Sequence, residues 1–285
     1  MKAPQSIVLL CVIASLVWSE SSADDLFPDK NLEAAVRRQV FAKRDSNEPL
    51  VAEDVRRVST VTGRKKGIKN LKGLEACVSL QALDLAENSI EDLSPLAELE
   101  DIQTLTLTRN RVSDVSPLAK ITKLQYLQLE YNRVEDIAPL EKLVNMNSLY
   151  LSHNQVKDLT PLKDMKKIWS LYLGHNKFKD LSPIKVLTRV QTLDIGGNNL
   201  EDLSALEEMT DLGLVMMRDN KLKDFSPLVR MAKKDMEGNT QFAPFWRLYL
   251  EGNPLGDNAE KQLQELKKMG AKVFSKREKK KAKST

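Results

Sequence analysis

The sequence is poor in residues that build covalent or metal-linked frameworks. Its 285 residues include two cysteines, Cys11 and Cys77, and two histidines, His153 and His175. Cys11 falls in an apolar leader whose removal would leave Cys77 without a partner, so no internal disulfide is expected and stability must come from packing. Cys77 occupies an apolar position and reads as a small buried hydrophobe. The run VLLCVI around Cys11 lacks the small residues expected before a lipid-modified cysteine, so no lipoprotein is expected. A structural zinc site wants four ligands, which two histidines without a cysteine pair do not supply; no metal and no cofactor are expected. Long hydrophobic runs are missing as well. The run from Ile7 to Trp18 falls well short of the ~20 residues that cross a bilayer as a helix, and no later segment is apolar enough, so no transmembrane span is expected. No glycine-rich phosphate loop occurs, because IGGNNL at 195–200 is one unit of a repeat.

What is present begins with a leader. Lys2 precedes the apolar run, and Ser21, Ser22 and Ala23 suit a small-residue cleavage rule. Residues 1–23 therefore read as a signal peptide, with a mature start near Asp24 and a secreted or periplasmic destination. The remaining composition, 41% apolar and 29% charged over the whole chain, is ordinary for a soluble protein. The last ten residues, KREKKKAKST, carry six cations and one anion; without them the chain's +4 falls to about −1. That balance argues against a basic nucleic-acid-binding face. Residues 276–285 read as a solvated, disordered tail that could contact an anionic cell-envelope polymer.

Asparagine recurs at 88, 110, 132, 154, 176, 198 and 220, a constant spacing of 22 residues. A fixed period of this size indicates a solenoid. Each unit starts with alternating apolar residues, as in ALDLA and TLTLT, the two-residue period of a short strand. In the first of these, Leu83 and Leu85 point inward and Ala82, Asp84 and Ala86 outward. One strand per unit stacks into a parallel sheet. A buried asparagine at the following turn offers both donors and an acceptor to backbone groups otherwise unpaired. In DLSPL, Ser94 reads as the cap of a short 3-10 turn and Pro95 as its first residue, where no amide hydrogen is needed. The Asp ladder at 92, 114, 136, 158, 180, 202 and 224 lies one residue ahead of those turns, its carboxylates stabilised by backbone amides or solvent.

This pattern resembles the leucine-rich-repeat family, in its 22-residue class, which bacterial internalins share with a nuclear regulator of protein phosphatase 1. It runs without interruption over 80–233, with an earlier partial unit in GIKNLKGLEACV and a later one in FWRLYLEGNPL. The ends also resemble the internalin type. LFPDKNLEAAVRRQV looks like its amino-terminal helical cap, with Leu32, Val36 and Val40 in one stripe; NPLGDNAEKQLQELKKMGAKVF looks like a carboxy-terminal cap ended by Gly270 and a short strand. The resemblance implies an α/β repeat solenoid: a curved right-handed horseshoe with a parallel β-sheet on its concave face, 3-10 turns on the convex side and helical caps. The expected divisions are signal peptide 1–23, N-terminal cap 24–66, repeats 67–255 with an insertion at about 234–244, C-terminal cap 256–275, and tail 276–285. Neither an immunoglobulin-like domain nor a wall-sorting tail is expected after these repeats, so the resemblance does not carry over host-cell adhesion.

In that family the outward strand positions form the usual binding face. Tyr126, Tyr150, Tyr172 and Tyr249 occupy such positions and Tyr131 borders them. Tyrosine joins a wide apolar face to a hydroxyl at low entropic cost, as binding surfaces require. Glu130, Asp194 and Arg218 share the face, with His153 and His175 on neighbouring units beside it. The reading is an exported, non-enzymatic recognition protein that binds a protein or peptide, in preference to a glycan, on the concave face. The alternatives are a structural component of the envelope and an enzyme using His153 and His175, for which Ser152 would be the adjacent nucleophile. A triad also needs an orienting acid and an oxyanion hole, and the sequence marks neither.

Overall fold

The computed structural model describes residues 25–238 and 242–276. The signal-peptide reading and all but the first residue of the basic tail lie outside them. Ten three-residue strands make one parallel sheet in strict chain order. They are β1 Thr60–Thr62, β2 Ala82–Asp84, β3 Thr104–Thr106, β4 Tyr126–Gln128, β5 Ser148–Tyr150, β6 Ser170–Tyr172, β7 Thr192–Asp194, β8 Leu214–Met216, β9 Arg247–Tyr249 and β10 Lys272–Phe274. From β1 to β8 the register advances by the repeat length, so Val61 faces Leu83, Leu83 faces Leu105, and identical positions align as columns. The inward leucines form a continuous core: Leu83, Leu105, Leu127, Leu149, Leu171 and Leu193 are all within 1% of complete burial.

The asparagine ladder performs the backbone pairing expected of it. Asn154 Nδ2 donates to the carbonyls of Leu129 (2.9 Å) and Leu151 (3.0 Å), while its Oδ1 accepts from Val134 N at 2.9 Å. Asn253, after the longer unit, extends the ladder by donating to Met217 O and Leu250 O. Each side chain thereby ties its own turn to the preceding rung.

The convex legs are 3-10 turns, but their caps differ from the sequence reading. The turn begins at Ser94 with Leu93 at the cap position, so Pro95 is its second residue rather than its first. Capping comes from Asp92, whose Oδ1 accepts from Ser94 N and whose Oδ2 accepts from Ser94 Oγ, both at 2.8 Å. The carboxylate lies two residues ahead of the turn, the reach at which an Asp side chain closes on backbone N–H. The same bond recurs at Asp114, Asp136, Asp158, Asp180, Asp202 and Asp224. These bonds hold Asp158, Asp180, Asp202 and Asp224 below the usual carboxylate range, with the Ser or Thr hydroxyl the largest contribution.

Both ends are covered. Helix α1, Lys30–Arg37, buries Leu32, Ala35 and Val36, and is followed by the short α2, Ala52–Val55. Asp29 caps α1 through Oδ1 and accepts from Lys69 N and Asn70 N through Oδ2, fastening the cap to the first rung. Strand β1 lies inside the span read as cap, so the sheet begins earlier than the repeat pattern suggested. In the longer unit, α3, Ser226–Glu237, replaces the 3-10 turn; its amphipathic face packs Leu228, Met231 and Ala232 into the core. Asp235, near its end, accepts from the amides of Phe242 and Ala243. At the C-terminal end α4, Ala259–Lys268, buries Leu263 and Leu266, and Gly270 (φ 99°) turns the chain into β10.

Cys77 is fully buried, and burial pushes its thiol up to about 12, with Glu75 adding to the effect. Because the thiolate is the reactive form, the folded protein should resist alkylation at Cys77 at pH 8 and react once unfolded in urea. Mass spectrometry of the Cys77 peptide after a timed iodoacetamide pulse checks this; equal labelling in both conditions would contradict the burial.

Candidate functional site

Strands β2 to β9 each give way to a turn at a residue with left-handed backbone, directly before the ladder asparagine. Arg109, Tyr131, His153 and His175 all hold this conformation, with φ between 56° and 59°. Equivalent geometry one rung apart stacks their side chains into a column. Arg109 lies over the Tyr131 ring at 4.0 Å, Tyr131 stacks on His153 at 4.0 Å, and His153 stacks on His175 at 4.2 Å. The next rung carries Gly197 (φ 66°), where a Cβ would sit 2.6 Å from His175 Nδ1. Glycine at that turn leaves the place that His175 fills.

A second column runs along the strands. Tyr150 and Tyr172, in register on β5 and β6, stack at 4.7 Å; Tyr126 meets Tyr150 at 5.4 Å in a tilted arrangement. Burial, then the neighbouring Tyr150, push the Tyr126 hydroxyl up to about 12, and burial also raises that of Tyr172. Both phenols are therefore neutral donors at physiological pH. Glu130 accepts from Thr108 Oγ1 at 2.8 Å. Asp194, opposite Tyr172 on β7, is half-buried and its carboxyl is raised by burial, against the opposing effects of Gly196 N–H, His175 and Arg218. Gly174 makes room for it, since a Cβ there would sit 2.8 Å from Asp194 Oδ2.

The structure brings eight of the ten sequence-derived residues into one surface: Tyr126, Glu130, Tyr131, Tyr150, His153, Tyr172, His175 and Asp194. Arg218, one rung beyond Asp194 and acting on its carboxyl, links that surface to Tyr249 nearer the C-terminal end. There Arg218 lies over Tyr249 at 4.5 Å and pairs with Glu251 at 2.7 Å, and Tyr249 stacks on Phe274 at 4.5 Å. Not every outward position is accessible. Ala86 is fully buried, contrary to its outward reading, and Thr106, Ser148 and Ser152 are less than 9% exposed, because adjacent rungs shield small side chains. Sequence reasoning also passed over Trp169, whose indole is 53% exposed just ahead of β6. An exposed tryptophan in a column of glutamine and asparagine, at 81, 103, 125, 147 and 191, was the available signal.

The stacked imidazoles do not form a chelating pair. Among the described residues no group of three or more His, Cys, Asp or Glu side chains is placed to hold a metal ion. Ser152 Oγ is buried and has no hydrogen-bond partner there, so the serine–histidine bond of a nucleophilic pair is not made.

Burial, the adjacent His175 and Arg109 all lower the His153 pKa. A depressed folded-state value means that the unfolded chain binds more protons below the ordinary imidazole pKa of ~6.5. The stabilisation is present above that pH and is lost as pH falls through the folded value. The stability advantage of wild type over His153→Gln should therefore shrink between pH 7.5 and pH 5.5. Urea unfolding of both proteins across that range checks the sign, and differencing removes the opposite contribution of Asp194.

Comparison with known proteins agrees with this geometry. A family model described as leucine-rich repeats (two copies) matches residues 78–120 and 122–164. No curated protein matches. Among solved structures, an internalin (inlF) of Listeria monocytogenes is 22% identical with a TM-score of 0.62, over 89% of this chain and 92% of that one. Internalin C2 of the same organism is 30% identical with a TM-score of 0.57, over 67% of this chain and 94% of that one. The ectodomain of a plant receptor kinase from Arabidopsis thaliana, in complex with Casparian strip integrity factor 2, is 21% identical with a TM-score of 0.58, over 71% of this chain and 28% of that one. Two leucine-rich-repeat matches, the unbroken asparagine ladder, the capped parallel sheet and the likeness to internalin C2 place this chain in the bacterial internalin-type leucine-rich-repeat family.

Proposed function

We propose that the protein is an exported, non-enzymatic recognition module that binds a protein or peptide on its concave face. The observation that carries this reading is the pair of adjoining aromatic columns, Tyr126–Tyr150–Tyr172 and Arg109–Tyr131–His153–His175. The scaffold requires none of these side chains, since other rungs fill the first column's positions with Ala82, Asp84, Thr104 and Thr106 and the second column's with Glu87, Gly197 and Asp219. Stacking holds the rings in place before a ligand arrives, which reduces the side-chain entropy lost on binding. Neutral phenol donors, the Glu130 carboxylate and the imidazole edges add directional contacts to that apolar surface. Structures of this architecture include a plant receptor ectodomain solved in complex with Casparian strip integrity factor 2, and this supports a recognition role.

Export rests on the leader at 1–23 and on the family; among the described residues no helix is long and apolar enough to cross a membrane. The basic tail would hold the module near an anionic envelope polymer. The test is cross-linked capture from the exported fraction with wild-type protein, followed by titration of the captured partner against variants of the two columns. Retained affinity in column variants that fold normally would favour the structural envelope role instead.

A further inference from the structure

Trp169 stands outside both aromatic columns, one residue ahead of β6, in a column that carries Gln81, Gln103, Gln125, Asn147 and Gln191 on the rungs around it. Its indole N–H donates to Ser148 Oγ at 2.9 Å, which fixes the ring while the side chain remains 53% exposed. The ring borders a cleft of about 320 Å³ whose other walls are Asn147, Lys167, Arg189, Gln191 and Asp211. A second cleft of about 440 Å³ shares Asn147 and Lys167 and continues along the same edge to Gln103.

Charge along this edge is unbalanced at one place. The column through positions 101, 123, 145, 167, 189 and 211 reads Asp, Lys, Asn, Lys, Arg, Asp. Lys123 pairs with Asp101 at 2.5 Å, but Lys167 donates only to the neutral Asn145 Oδ1, at 2.6 Å. Among the described residues neither Lys167 nor Arg189 forms an ion pair, although they are like charges on adjacent rungs and both line the tryptophan cleft. Like charges side by side in the turns of adjacent rungs repel, and a bound anion would offset that cost.

We infer that this edge is a binding site for a carboxylated oligosaccharide, separate from the concave columns. The Trp169 face suits the C–H face of a sugar ring, the carboxamides of Asn147 and Gln191 suit hydroxyls as both donors and acceptors, and Lys167 with Arg189 suits the carboxylate. Asp211 adds an acceptor on the far wall and disfavours a densely phosphorylated ligand. Continuity with the second cleft allows more than one sugar unit to lie along the edge.

The test is isothermal titration at low salt with short oligomers of galacturonate, alginate and hyaluronan, a neutral maltooligosaccharide and polyglutamate. At least one carboxylated oligomer should bind, with the neutral sugar and polyglutamate weaker by roughly tenfold or more. Trp169→Gln, which installs the residue found at 125 and 191, and the pair Lys167→Ala with Arg189→Ala should each weaken binding by about tenfold. Unchanged urea midpoints would exclude misfolding as the cause. Tyr150→Ala with Tyr172→Ala should leave this binding intact, which distinguishes the site from the concave face. No binding of any carboxylated oligomer, equal binding of polyglutamate, or equal affinity in the edge variants would overturn the inference.

Discussion

Replacing Asn154 by alanine should destabilise the protein by about 1–3 kcal/mol, seen as a lower urea midpoint with an unchanged slope. The residue is 8% exposed and serves backbone groups on two successive rungs. Its amide donates to Leu129 O and Leu151 O, and its carbonyl accepts from Val134 N. Alanine would leave these backbone groups without that partner in a region where leucine packing limits the entry of water. The cost is larger than for a surface hydrogen bond because buried groups forfeit their hydration as well. Neighbouring rungs should feel it, since a repeat array derives much of its stability from contacts between units. Asn154→Asp keeps the acceptor and removes the donors, so it should also destabilise; an unchanged midpoint in both variants would refute the ladder's contribution.

Changing Tyr150 and Tyr172 together to alanine should weaken binding of the partner by at least ~2 kcal/mol, about thirtyfold in Kd, with little change in unfolding midpoint. The two rings stack on each other at 4.7 Å, and Tyr150 also meets Tyr126, so the double substitution removes the centre of the aromatic column. Folding should survive because the core beneath is built from Leu149 and Leu171, both fully buried. Lys157→Ala with Lys179→Ala, on another edge of the solenoid, is the control. Lys157 pairs there with Glu135 at the exposed surface, a contact of little energetic weight. Equal affinity for wild type, the tyrosine variant and the lysine control would remove the concave tyrosines from the recognition mechanism.

The sequence expectations and the structure part company at identifiable residues. The first strand escaped the repeat reading because its rung carries Gly63 and Lys66 where later rungs carry leucine and asparagine. Lys66 and Ile68 instead donate their amides to Asn88 from the next rung, so the ladder starts one unit after the sheet does. The capping role passed from Ser94 to Asp92 for a local reason: the turn starts at Ser94 itself, and a carboxylate two residues earlier reaches the free amide. Spacing placed His153 and His175 on adjacent rungs without orienting their rings. Left-handed backbone at both positions and the glycine at 197 produced a face-to-face stack.

Periodicity alone was enough to specify the parallel sheet, the leucine core and the asparagine ladder, because each depends on interactions repeated between equivalent positions of successive rungs; the two caps, which do not repeat, were legible only through the resemblance of the terminal segments to internalin caps. A signal repeated seven times survives substitutions in any one unit. The functional surface has no such redundancy. Which tyrosines meet, how Arg218 links Asp194 to Tyr249, which outward residues are shielded, and where Trp169 opens an edge all depend on side-chain direction and on the size of neighbours one rung away. Those neighbours are a full repeat or so distant in the chain, and only the tertiary structure brings their side chains into contact.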